Sequence, residues 1–497
     1  MKYDFTTQVS RENTGSSKWD GMYAANPNVP EGTVPFSVAD MEFKNPPQIA
    51  EGIGEYLKNS IMGYTFATDA YYDAVIGWMK RRHNWDIKKE WIVEYPGVVP
   101  ALYHMVNLFT APGDGVLLFT PVYYPFYNAV RKGGRTLAES RLLLTGDHYE
   151  IDFADFEEKA KDPKNKLLLL CSPHNPVGRV WTKEELAKIG EICLKNNVMV
   201  VADEIHNDLI MPGYEHTVYA TVSEEMAQNC IVCTSPSKTF NMAGMMTSNI
   251  IVPNPELKQK VYDYRESQAV FFCNMAGYKG CEIAYNDCED WLEELLPILD
   301  HNRRVVEDFM AEHFPQIKVM RLEGTYLQWL DCRGLGLTYK ELEAFMTQEA
   351  FIFTDEGYVF RRENTKVTRI SLEPQDELYQ YFGSECYKIT RKYFLDGVPY
   401  IYYTHYLLGE MKLDEVSDDE RFSIYMQMYK NHRMISHFTD EFYIDYPSTQ
   451  ILEELKLKEG PTLGRKRTTY GINGEVLEIS YSQYNTRMHN YVINFDV

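Results

Sequence analysis

Polar side chains with catalytic potential stand directly after short apolar runs of the sequence. The runs cover residues 115–119, 166–170, 198–201 and 230–233. The polar residues that follow them include, in chain order, Tyr123, Asn175, Asp203 and Lys238. A lysine amine among apolar neighbours is costly to bury unless it is neutral or used covalently. A Schiff base with an aldehyde group would therefore explain Lys238.

Pyridoxal phosphate is a cofactor whose parts match these side chains. Its aldehyde would bind Lys238, and a carboxylate at Asp203 would pair with its protonated ring nitrogen. Asn175 would bond the ring hydroxyl, Tyr123 would stack on the ring, and His206 would reach the hydroxyl or its neighbours. Taken one at a time, these partners also fit strand-end capping or core packing, and a lone lysine also fits a surface loop.

The phosphate of such a cofactor needs donors at the start of a helix. Gly97 marks a glycine turn ahead of an apolar stretch, which predicts a helix over residues 101–109. Backbone amides at a helix start bind phosphate well, and nearby hydroxyls add further donors. The candidates for this role are Val98, Val99, Ser235 and Ser237. A simple glycine turn explains Gly97 equally well.

The elements that must position these residues form a predicted α/β domain over residues 46–290. Its short runs are apolar on both faces and are separated by helical patterns, which is typical of a parallel sheet covered on both sides. Ligands of such sheets bind beyond the carboxyl ends of the strands. The polar segments are therefore expected to converge on one pocket.

Three further segments complete the predicted organisation. Residues 1–45 form an amino-terminal segment that packs with a small α+β domain over residues 291–383. Residues 384–497 are rich in tyrosine and alternate polar with apolar side chains, and turn pairs occur at Asp396-Gly397 and Asn473-Gly474. These features predict a separate antiparallel domain at the end of the chain.

Composition narrows the functional classes. A formal net charge of −22 disfavours binding to nucleic acid, and the basic cluster Arg465-Lys466-Arg467 is expected on a solvated strand edge. No run approaches the roughly 18 apolar residues of a membrane span, and the first residues do not resemble an export signal. The nine cysteines are scattered and suit reduced core thiols rather than a metal site. We expect a cytoplasmic protein of about two to four domains.

Several motifs resemble the MalY/PatB group of cystathionine β-lyases, which are fold-type I relatives of class I and II aminotransferases. The motifs read GSSKWD (15–20), VADMEF (38–43), SPHNPVGRVW (172–181), DEIH (203–206), SPSKTFN (235–241) and GTYL (324–327). The resemblance runs from residue 4 to at least residue 373. It implies a three-layer αβα large domain with an α+β small domain, and pyridoxal phosphate on Lys238.

The same resemblance implies an activity and an assembly. The activity is β-elimination from cystathionine or a related cysteine conjugate to pyruvate, ammonia and a thiol, and an aminotransferase is the alternative. The assembly is a homodimer in which Tyr64 reaches the cofactor phosphate of the partner. Arg369 falls about a dozen residues after Gly357 in the family's register, which nominates it as the ligand of the substrate carboxylate.

The end of the sequence departs from this group. Arg361-Arg362 stands where the group usually has glycine, and the expected terminal helix stops at Gly383. From residue 384 onward the chain resembles a UTRA domain, the chorismate-lyase-like effector module of GntR-type repressors, through segments 389–399 and 469–478. Candidate effector-binding residues are Arg391, His405, Glu478, Tyr484 and Arg487. Polar residues on a solvated strand face are an equally good interpretation of each one.

Residues 366–382 fit two interpretations. They can end the lyase or form the first strand and helix of the UTRA-like domain, and we favour the lyase register for Arg369. The other assignment would suit a catalytically weak regulatory protein that binds pyridoxal phosphate and an effector. Because no winged helix precedes the UTRA-like segment, a repressor that acts on DNA by itself is not expected.

Overall fold

A computed structural model gives the fold of the chain. It describes residues 2–7, 9–337, 339–355, 357, 365–395, 398–413, 424–455, 457–458 and 460–485. The chain divides into two compact units, Met1–Arg361 and Arg362–Val497.

The first unit alternates helices with strands over most of its length. Its helices are α1 (Ser17–Ala25), α2 (Pro47–Lys58), α3 (Asp69–His83), α4 (Val98–Phe109), α5 (Tyr124–Lys132), α6 (Phe153–Ala160), α7 (Lys183–Lys195), α8 (Glu224–Gln228), α9 (Pro236–Thr239), α10 (Pro255–Ser267), α11 (Met275–Asp287), α12 (Glu289–His313) and α13 (Tyr339–Ala344). Its strands are β1 (Ile92–Tyr95), β2 (Gly115–Thr120), β3 (Thr136–Arg141), β4 (Leu143–Thr145), β5 (His148–Glu150), β6 (Asn165–Cys171), β7 (Met199–Asp203), β8 (Cys230–Thr234), β9 (Ser248–Ile251), β10 (Lys318–Val319) and β11 (Leu330–Asp331).

A seven-stranded sheet in this described part has the order β1-β9-β8-β7-β6-β2-β3. Strands β8, β7, β6, β2 and β3 run parallel, and β9 runs antiparallel to β8. Successive side chains of β6 point into two different cores. Leu168 and Leu170 pack on one face of the sheet, and Leu167 and Leu169 pack on the other. Helices therefore cover both faces, as the continuous apolar runs predict. The predicted α/β fold is confirmed.

The amino-terminal segment packs against the end of the first unit. Trp19 and Met22 of α1 lie in one apolar cluster with Phe353. The backbone amide of Phe36 donates to the carbonyl of Phe353 at 2.7 Å. These contacts bring the residues that precede Ala39 next to the segment around Phe353.

The second unit is built around one antiparallel sheet. Its helices are α14 (Tyr379–Phe382), α15 (Ile424–Lys430) and α16 (Thr449–Glu454), and its strands are β12 (Thr365–Ser371), β13 (Glu385–Leu395), β14 (Val398–Leu408), β15 (Ile435–Asp445), β16 (Thr462–Gly471) and β17 (Val476–Tyr484). The strand order is β12-β13-β14-β17-β16-β15 among the residues described. The alternating, tyrosine-rich sequence suits such a sheet because successive side chains face opposite sides.

Residues 366–382 lie in the second unit, whereas we favoured placing them at the end of the lyase domain. Strand β12 pairs with β13 along its whole length, from Thr365 opposite Arg391 to Ser371 opposite Glu385. The units divide at Arg361 and Arg362, not at residue 383. The strand pairing thus joins residues 365–371 to the sheet of the second unit, and the role of Arg369 as the ligand of the substrate carboxylate stays a prediction.

Three general properties of the chain complete the description. All nine cysteines are free thiols, and eight of them are buried. Among the described helices, none is long and apolar enough to cross a membrane. Within the same described residues, no group of three or more His, Cys, Asp or Glu side chains is placed to hold a metal ion.

An engineered pair of cysteines tests whether β12 pairs with β13. Thr368 lies directly opposite Lys388 in the ladder between β12 and β13. The double variant Thr368→Cys/Lys388→Cys should form a disulfide on mild oxidation, because opposed antiparallel residues place their Cα atoms about 4.5–5.5 Å apart. Peptide mapping by mass spectrometry without reduction would detect the bond.

The matched control is Thr368→Cys/Lys392→Cys, which places the second thiol four residues farther along β13. This pair should stay unlinked. Two reactive but unlinked thiols in Thr368→Cys/Lys388→Cys would contradict the pairing.

Candidate active site

Lys238 lies on α9, a short turn that follows the central strand β8. Ser235 is the residue before this turn, and its Oγ accepts a bond from the amide of Ser237 at 3.1 Å. The same Oγ lies 2.7 Å from the carbonyl oxygen of Thr247, to which it donates. Pro236 suits the first position of the turn because its missing N–H would be unsatisfied there in any case. The local sequence thus fixes where Lys238 leaves the strand.

The amine of Lys238 points at a backbone carbonyl. Its Nζ donates to the carbonyl oxygen of Ala39 at 2.7 Å, and the hydroxyl of Tyr326 donates to the same oxygen at 2.8 Å. Burial lowers the pKa of Lys238, although the charges of Asp40 and Asp203 oppose this effect. A lysine with a lowered pKa is more often neutral, and a neutral amine can act as a nucleophile or a base.

Asp203 ends β7 and is only 5% exposed. Its Oδ1 accepts a bond from the amide of Ile205 at 3.1 Å. Burial raises the pKa of Asp203 to about 7, while that amide and the charge of Lys238 act in the opposite direction. No ion pair joins Asp203 to another side chain in the described part of the chain. The carboxylate can therefore accept a positively charged ligand.

Two more predicted residues carry polar atoms that lack partners. The Oδ1 atom of Asn175 and the Nδ1 atom of His206 are buried and make no hydrogen bond to any described residue. Burial lowers the pKa of His206 to about 3, and the charge of Lys238 acts in the same direction. His206 is thus neutral near pH 7, and both atoms can bond a polar ligand.

Tyr123 lies between these groups and the start of α5. Its amide donates to the carbonyl oxygen of Asn175 at 3.0 Å, which ties the segment after β2 to the segment after β6. Burial raises the pKa of Tyr123, and the charges of Tyr124 and Asp203 add to the effect. The ring is a neutral, largely buried aromatic surface near Asp203.

The glycine turn behaves as predicted, but its helix begins earlier. Gly97 has a φ of +122°, and α4 starts at Val98 instead of Ala101. Pro100 fits in the first turn of a helix, where its missing N–H costs nothing. The first amides of the helix, including those of Val98 and Val99, have no side-chain cap. Such amides are the donors that bind phosphate.

The side chains of the first unit fit pyridoxal phosphate. A buried carboxylate without a cation suits the ring nitrogen, and unbonded amide and imidazole atoms suit the ring hydroxyl. Uncapped amides suit the phosphate, as do the hydroxyls of Ser235 and Ser237, whose Oγ atoms lie 2.8 Å apart. The amine of Lys238 suits the aldehyde. These individual roles stay predictions, and the structure brings their residues to neighbouring strand ends.

Two predicted residues stand apart from this group. Tyr64 is 91% exposed, and its ring contacts Phe272 at a centroid distance of 5.8 Å. Arg369 lies on β12 of the second unit, where Nη2 is 2.7 Å from a carboxylate oxygen of Glu385. The fold of the first unit does not supply this arginine, because β12 is a strand of the other sheet.

Sequence reasoning missed two groups beside Lys238, namely the carbonyl of Ala39 and the hydroxyl of Tyr326. The residues ahead of them, Val38 and Thr325, have φ values of +58° and +72°. Such values are unusual for β-branched side chains and set the direction of the backbone here. Both residues lie in family-like motifs, but residue types alone do not reveal a positive φ at either position.

The second unit gathers other predicted residues on one face of its sheet. Nδ1 of His405 lies 2.6 Å from Oε1 of the buried Glu478, whose Oε2 accepts a bond from the hydroxyl of Thr469 at 2.8 Å. Tyr403 stacks on His405 at a centroid distance of 5.3 Å. Nε2 of His405 is buried and bonds to none of the residues described. This face holds a polar cluster inside the unit.

Arg391 and Tyr484 border the same cluster. Arg391 is opposite Tyr403 in the ladder, so the two side chains share a face, and the hydroxyls of Tyr403 and Tyr484 are 3.3 Å apart. Arg465 is only 8% exposed and reaches the hydroxyl of Tyr403 at 3.4 Å, so its predicted solvated position is wrong. Arg487 lies outside the described residues.

The buried carboxylate generates a prediction about ligand-free protein. Because the pKa of Asp203 is raised to about 7 from 3.8, the folded chain binds this proton more tightly than the unfolded chain does. Wild-type protein should therefore lose stability as pH rises from about 4 to about 7, and Asp203→Asn should not share that loss. The variant should be more stable at pH 8 by an amount on the order of a few kcal/mol.

Denaturant unfolding of cofactor-free protein at pH 4 and pH 8 measures this difference. The exposed Asp263→Asn is the control and should follow wild type. A stability gain of Asp203→Asn that is equal at both pH values would contradict the assignment.

Comparison with known families and structures identifies two matching regions. The aminotransferase class I and II family matches residues 32–382, and the UTRA domain matches residues 361–490. The two regions share residues 361–382, which include residues 366–382, the segment that fits both interpretations of the sequence. The predicted UTRA resemblance is confirmed.

Curated relatives and solved structures agree with the first region. Cystathionine beta-lyase PatB of Bacillus subtilis is 39% identical over 357 residues, which are 71% of this chain and 91% of the relative. Protein MalY of Escherichia coli is 27% identical and covers 74% of this chain and 94% of its own length.

Two crystal structures extend this comparison. Cystalysin from Treponema denticola, which contains pyridoxal 5'-phosphate, is 51% identical with a TM-score of 0.72, over 73% of this chain and 92% of its own. The pyridoxal-phosphate-bound C-S lyase from Staphylococcus hominis is 30% identical with a TM-score of 0.68, over 73% and 91%. The chain therefore belongs to the aminotransferase class I and II family, and it carries a UTRA domain after the family's fold.

Proposed function

We propose that the first unit is a pyridoxal-phosphate-dependent carbon-sulfur β-lyase. Its substrate is cystathionine or a related cysteine conjugate, and its products are pyruvate, ammonia and a thiol. The observation that carries this proposal is that the amine of Lys238 and the buried carboxylate of Asp203 are near enough for the charge of each to shift the pKa of the other. The names of PatB and of the Staphylococcus structure support a lyase.

Different residues of the chain bind different parts of pyridoxal phosphate. Asp203 receives the ring nitrogen, Tyr123 covers the ring, and Asn175 and His206 bond the ring hydroxyl or its neighbours. The amides at the start of α4 and the hydroxyls of Ser235 and Ser237 hold the phosphate. When bound, pyridoxal phosphate supplies an electron sink for the charge that develops at the substrate Cα.

Lys238 moves the proton on which the reaction depends. Its Nζ takes the proton from Cα, and its lowered pKa keeps the amine available as a base near neutral pH. The Cβ–S bond then breaks, and sulfur leaves with the electron pair as a thiolate that takes up a proton. With one water added overall, cystathionine yields pyruvate, ammonia and homocysteine. Atoms and charge balance without an oxidant or a reductant.

An aminotransferase is the alternative that uses the same residues. An aminotransferase would expel no thiolate, and Lys238 would serve as the proton-transfer group in either reaction. Aspartate aminotransferases also stand among the relatives, at 25% identity for the one from Bacillus sp.. The higher identity to PatB favours the lyase.

Turnover of cystathionine tests the proposal. Wild-type protein with pyridoxal phosphate should show a visible absorbance band of lysine-bound cofactor and should release pyruvate without a keto acid. Lys238→Ala should lose the band and the pyruvate, because no other amine replaces the base. The control Lys195→Ala changes an exposed lysine that pairs with Glu157 and should retain both.

Pyruvate formation is measured with a coupled dehydrogenase, and amino transfer is measured with a keto acid in parallel. Amino transfer without pyruvate would favour the aminotransferase and contradict the lyase.

A second outcome would favour a regulatory protein. Arg369, which we nominate as the ligand of the substrate carboxylate, is a residue of the second unit and not of the first. A wild-type chain that shows the cofactor band but turns over no sulfur amino acid would indicate a sensor of pyridoxal phosphate and an effector. Lys238→Ala would still lose the band in that case.

We further propose that the lyase is a cytoplasmic homodimer. A surface segment exposes four large apolar side chains: Ile61, Met62, Tyr64 and Phe66. Phe66 packs on Phe272 at a centroid distance of 5.6 Å, and Tyr64 packs on the same ring at 5.8 Å. A contiguous exposed apolar segment is typical of an interface. A second copy would cover it, and Tyr64 would reach the partner's cofactor phosphate.

Hybrid dimers test this assembly. Tyr64→Ala and Lys238→Ala should each be weakly active or inactive as homodimers. Co-expression with two different tags gives hybrids in which one site has both native residues, so about half of the wild-type activity should return. The purified hybrid is assayed against both parents, and a hybrid no more active than its parents would contradict a shared site.

We also propose that the second unit binds a small polar ligand on the face that carries His405 and Glu478. The buried contact between His405 and Glu478, the unbonded Nε2 of His405 and the adjacent Arg391 and Tyr403 support this role. These side chains lie on one side of the sheet because alternate residues of a strand point the same way.

A thermal-shift screen of sugar phosphates and amino acids should find a compound that raises the melting temperature of the full chain, since a ligand of the native state stabilises it. Glu478→Gln should lose the shift. Lys466→Ala should keep it, because Lys466 faces away from Arg465 in β16 and pairs with Glu377. A hit that Glu478→Gln binds as well as wild type would contradict this location.

A further inference from the structure

A second buried carboxylate lies five residues after Asp203, and it accepts three hydrogen bonds. Asp208 is 4% exposed. It accepts bonds from the hydroxyl of Thr239 at 2.7 Å, from Nε1 of Trp78 at 3.2 Å and from Nε2 of His83 at 2.8 Å. Thr239 is the residue next to Lys238, so this network reaches the turn that carries the reactive amine.

The charge of Asp208 is retained although the residue is buried. Burial acts to raise the pKa of Asp208, but the bonds from His83 and Thr239 and the charges of His83 and Arg82 outweigh it and hold the pKa below its ordinary value. Hydrogen bonds to an ionised acceptor are roughly twice as strong as bonds between neutral groups. The bond from Thr239 to Asp208 is therefore a strong one.

The turn that carries Lys238 needs such an anchor. Helix α9 has four residues, and a single turn this short is not stable by itself. Its first end is fixed because Ser235 bonds to the carbonyl of Thr247. Its C-terminal end is fixed because the hydroxyl of Thr239 donates a hydrogen bond to Asp208. Lys238 lies between the two anchors.

The loop that carries Asp208 also begins with Asp203. Within it, the amide of Asn207 donates to the carbonyl of Glu204 and the amide of Leu209 donates to that of His206, both at 3.0 Å. These bonds make the loop compact. One end of the loop thus holds the carboxylate for the ring nitrogen, and the other end holds the turn with the amine.

We infer that Asp208, held by His83, is a positioning residue that fixes Lys238 relative to Asp203 through the hydroxyl of Thr239. Neither Asp208 nor Thr239 has a place among the proposed cofactor ligands, and the inference rests on the proposed cofactor site. Loss of the anchor should leave Lys238 able to bind pyridoxal phosphate but should misplace its amine. A misplacement of about 1 Å can lower turnover by about 100-fold.

The test uses the full chain with pyridoxal phosphate and the variants Thr239→Val and Asp208→Asn. Thr239→Val keeps the shape of the side chain and removes the hydroxyl. Both variants should retain the visible absorbance band of the lysine-bound cofactor. The pH at which this band is half-converted should shift by about half a unit or more. The value of kcat should fall about 10- to 100-fold with little change in KM. Thr239→Ser should restore the midpoint, because it restores the hydroxyl.

Thr110→Val is the matched control. The Thr110 hydroxyl is also buried and bonded, donating to Val106 and accepting from Arg135, but it lies at the end of α4 away from Lys238. This variant should lower the melting temperature and leave the band midpoint unchanged.

Two results would overturn the inference. If Thr239→Val loses thermal stability but keeps the wild-type midpoint and kcat, as expected for Thr110→Val, then Asp208 is only structural and the proposed cofactor site stands. If wild-type protein itself shows no band with pyridoxal phosphate, the proposed function fails and this inference fails with it.

Discussion

The Asp203 carboxylate lies at the end of β7 in a largely apolar sheet, where burial opposes its ionisation. The charge of Lys238 favours ionisation, and the charge of Asp203 in turn favours the protonated amine. Burial nevertheless shifts both groups toward their neutral forms. A ligand that brings a positive nitrogen to Asp203 and consumes the amine of Lys238 removes both costs at once. The neighbouring polar atoms of Asn175 and His206 then gain partners as well.

The order of the strands brings the other site residues close to Asp203. The strands β8, β7, β6 and β2 are neighbours, and the ladders place Asp203 level with Cys171 on one side and Cys233 on the other. Lys238 follows Cys233 by five residues, and Asn175 follows Cys171 by four. Because the strands are parallel, these short extensions leave the sheet at the same edge. The segments of the sequence that are far apart therefore meet around Asp203.

This geometry explains how much the sequence could predict. Continuous apolar runs identify central strands of a parallel sheet, so the residues directly after them could be named without knowledge of the strand order. The carbonyl of Ala39 could not, because a backbone group has no residue-type signal and depends on the positive φ of Val38. The burial of Arg465 was missed for another reason. Alternation shows that neighbours on a strand face opposite sides, but it does not show which side is covered.

The sheet to which Arg369 belongs was the hardest feature to predict from local sequence pattern. An alternating segment suits any antiparallel neighbour, so residues 365–371 carry no mark of the sheet they join. The ion pair of Arg369 with Glu385 does not decide the matter either, because both side chains are about half exposed and such pairs contribute only about 0–1 kcal/mol.

The continuous ladder with β13 decides it, since it fixes the backbone of every residue of β12. Each proposed cofactor ligand precedes residue 239, whereas Arg369 comes after the division of the units at residue 361. The proposed cofactor ligands and the proposed ligand of the substrate carboxylate therefore belong to different units of the chain. The first can persist when the second is altered, which is why spectroscopy of the cofactor and turnover of the substrate are separate measurements for this protein.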